Sequence, residues 1–532
     1  MTVTPDTTQE VRLQTAQRSG DCSTSRSPSR DEREILILLA VSMLATIPVW
    51  LASYPPMVDL PQHAAQISLL RNLHDPAFRF AGLFRVNWFT PYLLGYLAVY
   101  ILAPLCGIAT ACKLVTAAAL IGLPVTTALL MRETGADSYW ALLTVPAMYG
   151  FSYTWGFFNF LVAVPIGLLF LILVIRHVRK PCWRSSLYLG VVSALLFFGH
   201  ALACVFFGTI ACAYAVVETR SLHKAVLALL PSATMVPLIL VWYLRTKSDP
   251  GTQQAVVWDL GWMRSVDTHA LGGRLTGFFP RLLGLRPSLL CFLAGGVLFA
   301  IPLLAGARPS KRPAVWVPLC VCVLALLFAP TTAFSGWAIS HKFTVFALPF
   351  FLMTLQRADV ERPALRRAVV FLLIGWIAIT SAKVIRYNAE VRGFDEVLSK
   401  MEPNERVLSL MFIQFSEVSP APVFLHFPAW YSAKKHGVVD MNFAVFPIEP
   451  VRYNSTVPSA DPSVSEWHPQ TFRWKEWRGD TYRYFVVHAQ VDLGYRLFAW
   501  APCSVSLVAQ SGNWWLYEKD PRCNVSNGSP AL

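Results

Sequence analysis

Long apolar segments alternate with short polar segments through the first 386 residues of the chain. A helix that crosses a lipid bilayer needs about 20 predominantly apolar residues. Each apolar segment therefore predicts a helix in or against a membrane. A continuous helix over 185–218 would be about 51 Å long, well beyond a hydrocarbon core of about 30 Å, so we predict a break at Gly199–His200. The predicted segments are 34–54, 88–106, 108–131, 139–155, 157–177, 185–199, 201–218, 224–244, 287–306, 313–330, 343–357 and 365–386.

Basic residues predict the orientation of these helices, because cytoplasmic loops of membrane proteins carry an excess of Lys and Arg. The polar tail 1–33 is rich in Arg and is predicted to be disordered and cytoplasmic. If every segment crossed, the basic stretches 176–184 and 308–312 would lie outside. If 88–106 does not cross the membrane and forms a juxtamembrane or re-entrant helix instead, both basic stretches lie on the cytoplasmic side. About eleven transmembrane helices remain, and the chain after residue 386 is placed outside.

The polar segments predict three external loops and one external domain. The domain, 387–532, contains the strand-like runs Val407–Phe412, Tyr484–His488 and Val505–Tyr517, typical of a small α+β fold. The loops are 55–107, 245–286 and 331–342. The predicted fold class is thus an all-α polytopic membrane protein, with residues 34–386 as its transmembrane domain, that ends in a small external α+β domain.

Composition agrees with a membrane protein, since 55% of the residues are hydrophobic and 14% are charged, against about 25% charged in soluble domains. The net charge is +14, but the basic residues cluster between apolar segments, which favours membrane topology over nucleic-acid binding. Cys503 and Cys523 are the cysteines that follow the last predicted helix. If this region lies outside the cytoplasm, we predict a disulfide between them.

Asp59 and His63 come directly after the first apolar segment. Residues four apart share a helix face, so this carboxylate and imidazole can act together as an acid/base pair or hold a divalent metal ion. Asp59 has a structural alternative, since Asp before Leu-Pro fits the N-cap of a helix over 61–74. For His63 the alternative is a solvated imidazole at the membrane interface.

Three further candidates lie at the predicted outer ends of helices. His341 and Lys342 precede the segment 343–357 and are predicted to bind a lipid-borne phosphate. The alternative is a Lys side chain that reaches the membrane interface. His200 lies at the break between two short helices, where an ionisable residue is a candidate for substrate binding. Its alternative is a turn histidine satisfied by the backbone.

The layout of the chain resembles that of the C-type integral membrane glycosyltransferases. Three segments carry the resemblance: Tyr54–His63 with its Asp59, Phe89–Leu94 and Ser340–Pro349. Such proteins use polyprenyl-phosphate-linked sugars as donors. They place a functional Asp and juxtamembrane helices in the first external loop, and many end in an external domain. The resemblance implies a sugar transfer at the outer face of a cell membrane, with Asp59 as base or metal ligand and His341 and Lys342 at the phosphate.

Two departures from the superfamily pattern leave the donor and the metal dependence open. Many members carry two adjacent acidic residues in the loop, and here Leu60 follows Asp59. Many carry Arg at the start of the late helix, and here His341 and Lys342 stand there. The segments Val58–His63 and Phe424–Tyr431 also resemble a subgroup of bacterial membrane proteins, which suggests a bacterial inner membrane but carries no activity. Whether a divalent ion is held by Asp59 and His63 stays open.

Two other function classes compete with the enzyme. One is a transporter or flippase of lipid-linked glycans, and the other is a structural membrane protein whose external domain binds a partner. A transporter should carry polar residues deep within several helices, whereas here the ionisable residues lie mainly at helix ends. This favours chemistry at the interface. The expected partners are membrane lipids and a polyprenyl-phosphate-linked sugar, without nucleic acid.

Overall fold

The computed structural model describes residues 30–247, 268–330, 332–333, 336–358, 362–454 and 466–522. Residues 1–29 of the predicted polar tail and much of the predicted loop 245–286 lie outside the described residues. The α-helices are Arg30–Leu44, Ile47–Leu51, Leu60–Asn72, Leu93–Cys106, Ile108–Thr134, Phe151–Thr154, Phe158–Arg179, Trp183–Gly199, Ala201–Thr219, Leu222–Leu229, Met235–Lys247, Thr268–Thr276, Phe278–Leu283, Leu289–Leu304, Pro313–Phe328, Ile339–Lys342, Thr344–Met353, Pro363–Ser399, Trp430–Lys435 and Gly494–Leu497. The strands are Phe84–Val86, Arg308–Pro309, Thr332–Ala333, Gly336–Trp337, Leu355–Gln356, Arg406–Met411, Val438–Asp440, Val451–Tyr453, Tyr484–His488, Val505–Ser511 and Trp514–Lys519.

Apolar helices confirm a multi-pass membrane protein. Within the described residues, six are long and apolar enough to cross a membrane, and shorter apolar helices such as Leu93–Cys106 accompany them. The number of crossings, and the expectation that 88–106 does not cross, stay predictions. The six are Glu32–Leu51, Ile108–Thr134, Phe158–Arg179, Ala201–Thr219, Leu222–Thr246 and Pro363–Ser399.

The segment predicted as a helix over 139–155 differs in the structure. It forms two 3₁₀ helices, Ser138–Thr144 and Pro146–Tyr149, and the single α-turn Phe151–Thr154. Pro146 lacks a backbone N–H and cannot continue the helix hydrogen bonding. Gly150 is extended, and a Cβ there would lie 2.6 Å from the Leu282 carbonyl oxygen. This close packing replaces a regular helix and brings the chain to Trp155, which lines a cavity of about 430 Å³.

The last membrane helix runs from Pro363 to Ser399, well past the predicted boundary at residue 386. Its extension is amphipathic, with Tyr387, Val391 and Phe394 buried at helical spacing. These side chains pack against the C-terminal domain. The membrane part and the C-terminal domain are therefore joined by one continuous helix rather than by a flexible linker.

The C-terminal domain is built on a five-stranded sheet, in which the predicted strand regions are confirmed. The strand order is Val505–Ser511, Trp514–Lys519, Tyr484–His488, Arg406–Met411 and Val438–Asp440. The first two strands form a hairpin, and the last two pairings are parallel. Cys503 is in a disulfide. Its predicted partner Cys523 lies outside the described residues, so this pairing stays a prediction.

The first loop packs against the C-terminal domain. Strand Phe84–Val86 pairs with Val451–Tyr453. Gln62 donates to the Met441 carbonyl (2.7 Å) and accepts from the Phe443 backbone N–H (3.1 Å). Two units far apart in sequence thus share one hydrogen-bonded interface, which holds Asp59 and His63 against residues of the C-terminal domain.

Candidate functional site

A cavity of about 430 Å³ lies where the first loop, several helix ends and the C-terminal domain meet. Four predicted site residues from separate parts of the chain line it: Asp59, His63, His200 and Lys342. Three ionisable residues that the sequence analysis did not select also line it: His426, Glu449 and Glu466. The structure therefore gathers most of the predicted site residues in one place.

Asp59 stands at the N-cap position of helix Leu60–Asn72, but its side chain makes no capping hydrogen bond. Its backbone N–H donates to the Trp155 carbonyl (3.1 Å). Gly156 has a positive φ of 76°, and a Cβ there would lie 2.7 Å from the Asp59 nitrogen, so glycine permits this approach. Capping therefore does not account for the carboxylate, which is left facing the cavity.

The Asp59 carboxylate pairs with a histidine from the C-terminal domain. Asp59 Oδ1 lies 3.4 Å from His426 Nε2, and Glu466 contacts His426 Nδ1 on the other side of the ring. The His426 side chain is 7% exposed. Burial alone lowers the pKa of His426, but the charge of Glu466 and the contact with Asp59 outweigh it and raise the pKa to about 10. His426 is thus a cation between two carboxylates at neutral pH.

Lys342 supplies a buried positive charge to the same cavity. Its side chain is 5% exposed, and its Nζ lies 4.0 Å from the centre of the Phe157 ring, a cation–π contact. In the described part of the chain its ammonium group forms no ion pair. Burial lowers the pKa of Lys342 to about 8, against the opposing effect of the Asp59 charge. This ammonium group is therefore available to an anionic ligand.

His63 is held by neighbouring groups rather than solvated. Its Nδ1 lies 2.5 Å from the Tyr96 hydroxyl, which in turn contacts Glu449. Burial lowers the pKa of His63 to about 4 and raises the pKa of Glu449 to about 8. Both side chains are therefore neutral at pH 7. This neutral chain of hydrogen bonds forms one wall of the cavity.

Asp59 and His63 are the residues predicted to hold a metal ion. Zinc sites use at least three protein ligands, whereas Mg²⁺ is commonly held by one or two carboxylates together with substrate phosphates. Among the described residues, no three His, Cys, Asp or Glu side chains come together in this way. His63 is already engaged by Tyr96 and by the Gly156 backbone. The metal ion predicted at Asp59 and His63 stays a prediction.

His200 combines a structural role with a place in the cavity wall. Its Nδ1 accepts from the Leu202 backbone N–H (3.2 Å) and so caps helix Ala201–Thr219. This is the backbone-satisfied histidine named as the alternative above. The ring also packs on Tyr92, with ring centres 4.7 Å apart, and lines the cavity.

His341 does not reach the cavity that Lys342 lines. Successive residues of a helix point about 100° apart, so these neighbours face different surroundings. His341 packs on Phe151, with ring centres 5.3 Å apart, and lines a separate cavity of about 180 Å³ with Arg274 and Arg281. Burial and these two cations lower the pKa of His341 to about 4. The structure thus separates two residues that were predicted to bind one phosphate.

Three residues of the C-terminal domain were missed by the sequence analysis. His426 lies inside the segment Phe424–Tyr431, which resembles a subgroup of bacterial membrane proteins. That resemblance was the one sequence signal that could have pointed to His426. Glu449 and Glu466 lie in Pro-rich sequence without helical or strand periodicity. Their contacts with Asp59, His426 and Tyr96 are tertiary, and nothing in the local sequence indicates them.

No protein-family model and no curated protein matches the chain. Crystal structures of ArnT from Cupriavidus metallidurans, bound to undecaprenyl phosphate and in the apo state, are similar at 13% identity, covering 91% of this chain and 97% of that chain, with TM-scores of 0.41 and 0.40. At this identity and these TM-scores the likeness carries no argument, and the resemblance to the C-type glycosyltransferases stays a prediction from the sequence. Such a distant likeness assigns no activity and no site residue.

Proposed function

We propose that this chain is a membrane glycosyltransferase that moves a sugar from a polyprenyl-phosphate carrier to an acceptor hydroxyl in the 430 Å³ cavity. One observation carries the proposal. A carboxylate that caps no helix, Asp59, and a buried ammonium group, Lys342, line the same cavity. Glycosyl transfer from a phosphate needs both kinds of group, a base for the acceptor proton and a cation for the departing phosphate.

The proposed reaction is a single displacement. The bond between the anomeric carbon and the carrier phosphate oxygen breaks, and its electron pair stays on the phosphate. The acceptor oxygen forms the new bond to the anomeric carbon, and its proton passes to Asp59. The leaving group is a stable anion, so charge neutralisation contributes more than protonation of the leaving group.

Lys342 is assigned to the carrier phosphate. A compact ammonium group acts as a point charge toward phosphate, and its effect is larger in a buried site than in water. Its cation–π contact with Phe157 fixes the ammonium group without neutralising it. The Lys342 ammonium group would then stabilise the negative charge that develops on the phosphate, without first having to move.

His426 and Glu466 are assigned as positioning residues. The imidazolium of His426 holds the Asp59 carboxylate toward the cavity, and Glu466 holds the imidazolium from the opposite side. The charges of these three residues and Lys342 sum to zero at neutral pH. Buried charges are tolerated when they are paired, as His426 is with Asp59 and Glu466, while the Lys342 charge is left for the donor phosphate.

Reconstitution separates the proposed enzyme from a transporter. The purified chain would be placed in proteoliposomes with radiolabelled polyprenyl-phosphate sugars, and two quantities would be measured: released polyprenyl phosphate, and movement of the intact carrier between leaflets. The proposal expects release that depends on an added acceptor mixture from the cell envelope. Movement of intact carrier without any release would instead favour a flippase.

A further inference from the structure

Three tryptophans border the cavity, and Trp155 contacts the other two; we call Trp155, Trp337 and Trp467 the tryptophan platform. The Trp155 ring centre lies 4.4 Å from that of Trp337 and 6.4 Å from that of Trp467. Trp337 and Trp467 are each 43% exposed, although both line the cavity. Large aromatic surfaces left open in a cavity are typical of ligand sites.

The platform differs from tryptophans that anchor a protein at the membrane interface. Interfacial tryptophans face the lipid headgroups from the protein surface, in belts. Trp183, for comparison, is 71% exposed and absent from the cavity wall. The platform residues instead come from three distant segments and meet beside ionisable groups. Their arrangement therefore points into the cavity.

Chain connectivity places the platform on the side of the base. Trp467 directly follows Glu466, the partner of His426. Trp155 directly precedes Gly156, whose backbone approaches Asp59. Lys342, in contrast, is 5% exposed and so lies deeper than the two exposed rings. The platform therefore borders the space where the acceptor hydroxyl must lose its proton.

Asn159 offers a second, independent sign of a ligand. Its side chain is 2% exposed and lines the cavity. The amide interacts with the Tyr96 hydroxyl, but its oxygen has no hydrogen-bond partner. A Cβ at Gly95 would lie 2.4 Å from the Asn159 oxygen, so this glycine leaves room for the amide. An unpaired buried amide oxygen is costly. A ligand hydroxyl, which both donates and accepts, would satisfy it.

We propose that the acceptor is itself a carbohydrate, whose ring stacks on the tryptophan platform and one of whose hydroxyls bonds to Asn159. This inference rests on the proposed glycosyltransferase function. A pyranose presents an apolar face of C–H groups and a rim of hydroxyls, and the cavity presents flat aromatic rings and a free amide oxygen. A simple hydroxyl on a peptide or lipid would need neither the tryptophan platform nor the Asn159 amide.

Binding of simple sugars tests the inference without a donor. Methyl glucopyranoside, methyl mannopyranoside and methyl galactopyranoside would be titrated against the full chain in nanodiscs, with tryptophan fluorescence and saturation-transfer NMR as readouts. Sorbitol, an open-chain polyol, is the matched control ligand. We expect at least one pyranoside to bind, with NMR contacts from one ring face, and sorbitol not to bind. Binding by none of the three, or equal binding of sorbitol, would overturn the inference.

Variants locate the binding on the platform. Trp467→Leu and Trp337→Leu should each weaken pyranoside binding about tenfold, as expected for loss of one stacking contact. Trp467→Phe should retain part of the affinity. Trp183→Leu, on an exposed ring outside the cavity, should change nothing. Unchanged affinity in both platform variants, confirmed to be folded by their thermal unfolding, would contradict the assignment.

Transfer kinetics distinguish failure of this inference from failure of the proposed function. In the reconstituted enzyme, Trp467→Leu should raise the acceptor KM about tenfold and leave the donor KM unchanged. Transfer to a peptide or lipid hydroxyl with an unchanged KM in this variant would overturn the carbohydrate acceptor while the glycosyltransferase assignment stands. Pyranoside binding on the platform without any transfer would instead leave a sugar site and remove the proposed function.

Discussion

His426 Nε2 lies 3.4 Å from Asp59 Oδ1, and this contact joins the first loop to the C-terminal domain. The site is therefore complete only when the two units are packed together. The same docking buries Gln62 and aligns strand Phe84–Val86 with Val451–Tyr453. A change that loosens the C-terminal domain should accordingly disturb a carboxylate that lies far away in the sequence.

The first prediction concerns His426. His426→Gln removes the cation that orients Asp59, so kcat should fall about tenfold or more while the donor KM changes little. The double variant His426→Gln with Glu466→Gln should lose little more than the single one, because residues that act as a unit are not additive. His223→Gln, on an exposed helix, is the matched control. Additive losses in the double variant would show that the two residues act independently.

The second prediction concerns the pH dependence of donor binding. The pKa of Lys342 is lowered to about 8, so its ammonium group loses its proton as the pH rises through that value. The donor KM should therefore increase above pH 8. Lys342→Arg should remove this increase, because a guanidinium does not titrate in this range. Lys342→Met should weaken donor binding at every pH, and the exposed Lys180→Met should not.

A donor KM that stays flat from pH 7 to 10 in the unchanged protein would contradict the role of Lys342. So would the same alkaline increase in Lys342→Arg, since the titrating group would then lie elsewhere. The measurement is initial-rate kinetics in proteoliposomes across the pH range.

The third prediction concerns Glu449 and stability. Burial raises its pKa from 4.5 to about 8, so the folded protein holds a proton that the unfolded chain releases between these values. Stability should therefore fall as the pH rises through this window, by up to ~1.4 kcal/mol per pH unit. Glu449→Gln keeps an uncharged side chain of the same shape, so it should remove the part of the stability loss that comes from Glu449. Thermal unfolding at pH 5 and pH 8, with the exposed Glu476→Gln as control, measures it. If the unchanged protein and Glu449→Gln lost the same stability between pH 5 and pH 8, the role of Glu449 would be contradicted.

The fourth prediction concerns topology. Cys182 is free and exposed in the basic stretch 176–184, which is expected to be cytoplasmic. A membrane-impermeant maleimide should label it in inverted vesicles and not in intact spheroplasts, and Cys182→Ser should remove that signal. A cysteine introduced at the exposed Ser506 should show the opposite pattern. Labelling of Cys182 from the outside alone would reverse the predicted orientation.

Local sequence was enough to find some site residues and not others. Asp59 and Lys342 stand at the ends of apolar segments, where a charged side chain is noticeable, and both line the cavity. His341 stands in the same context but faces another cavity, because helix rotation is not visible without the exact start of the helix. The apolar helices were predictable for the same reason as Asp59, since burial in lipid requires a continuous apolar segment.

Tertiary packing decided what the sequence could not show. His426 and Glu466 approach Asp59 through the docking of the first loop, which no local pattern indicates. The segment 139–155 is as apolar as its neighbours, and its break depends on Pro146 and on the contact of Gly150 with Leu282. Four strands of the C-terminal sheet fall in predicted regions because their β-forming residues are a local signal, whereas Val438–Asp440 of the same sheet was not predicted.

The most direct test of the central claim is Asp59→Asn in reconstituted membranes. Asn keeps the size of the side chain and caps helices about as well as Asp, but it cannot take a proton. We expect transfer from a polyprenyl-phosphate sugar to fall about 10²-fold or more, while Asp75→Asn, in the exposed end of the same loop, keeps full activity. Full transfer by a folded Asp59→Asn protein would contradict the claim that this cavity is a glycosyltransferase site with Asp59 as its base.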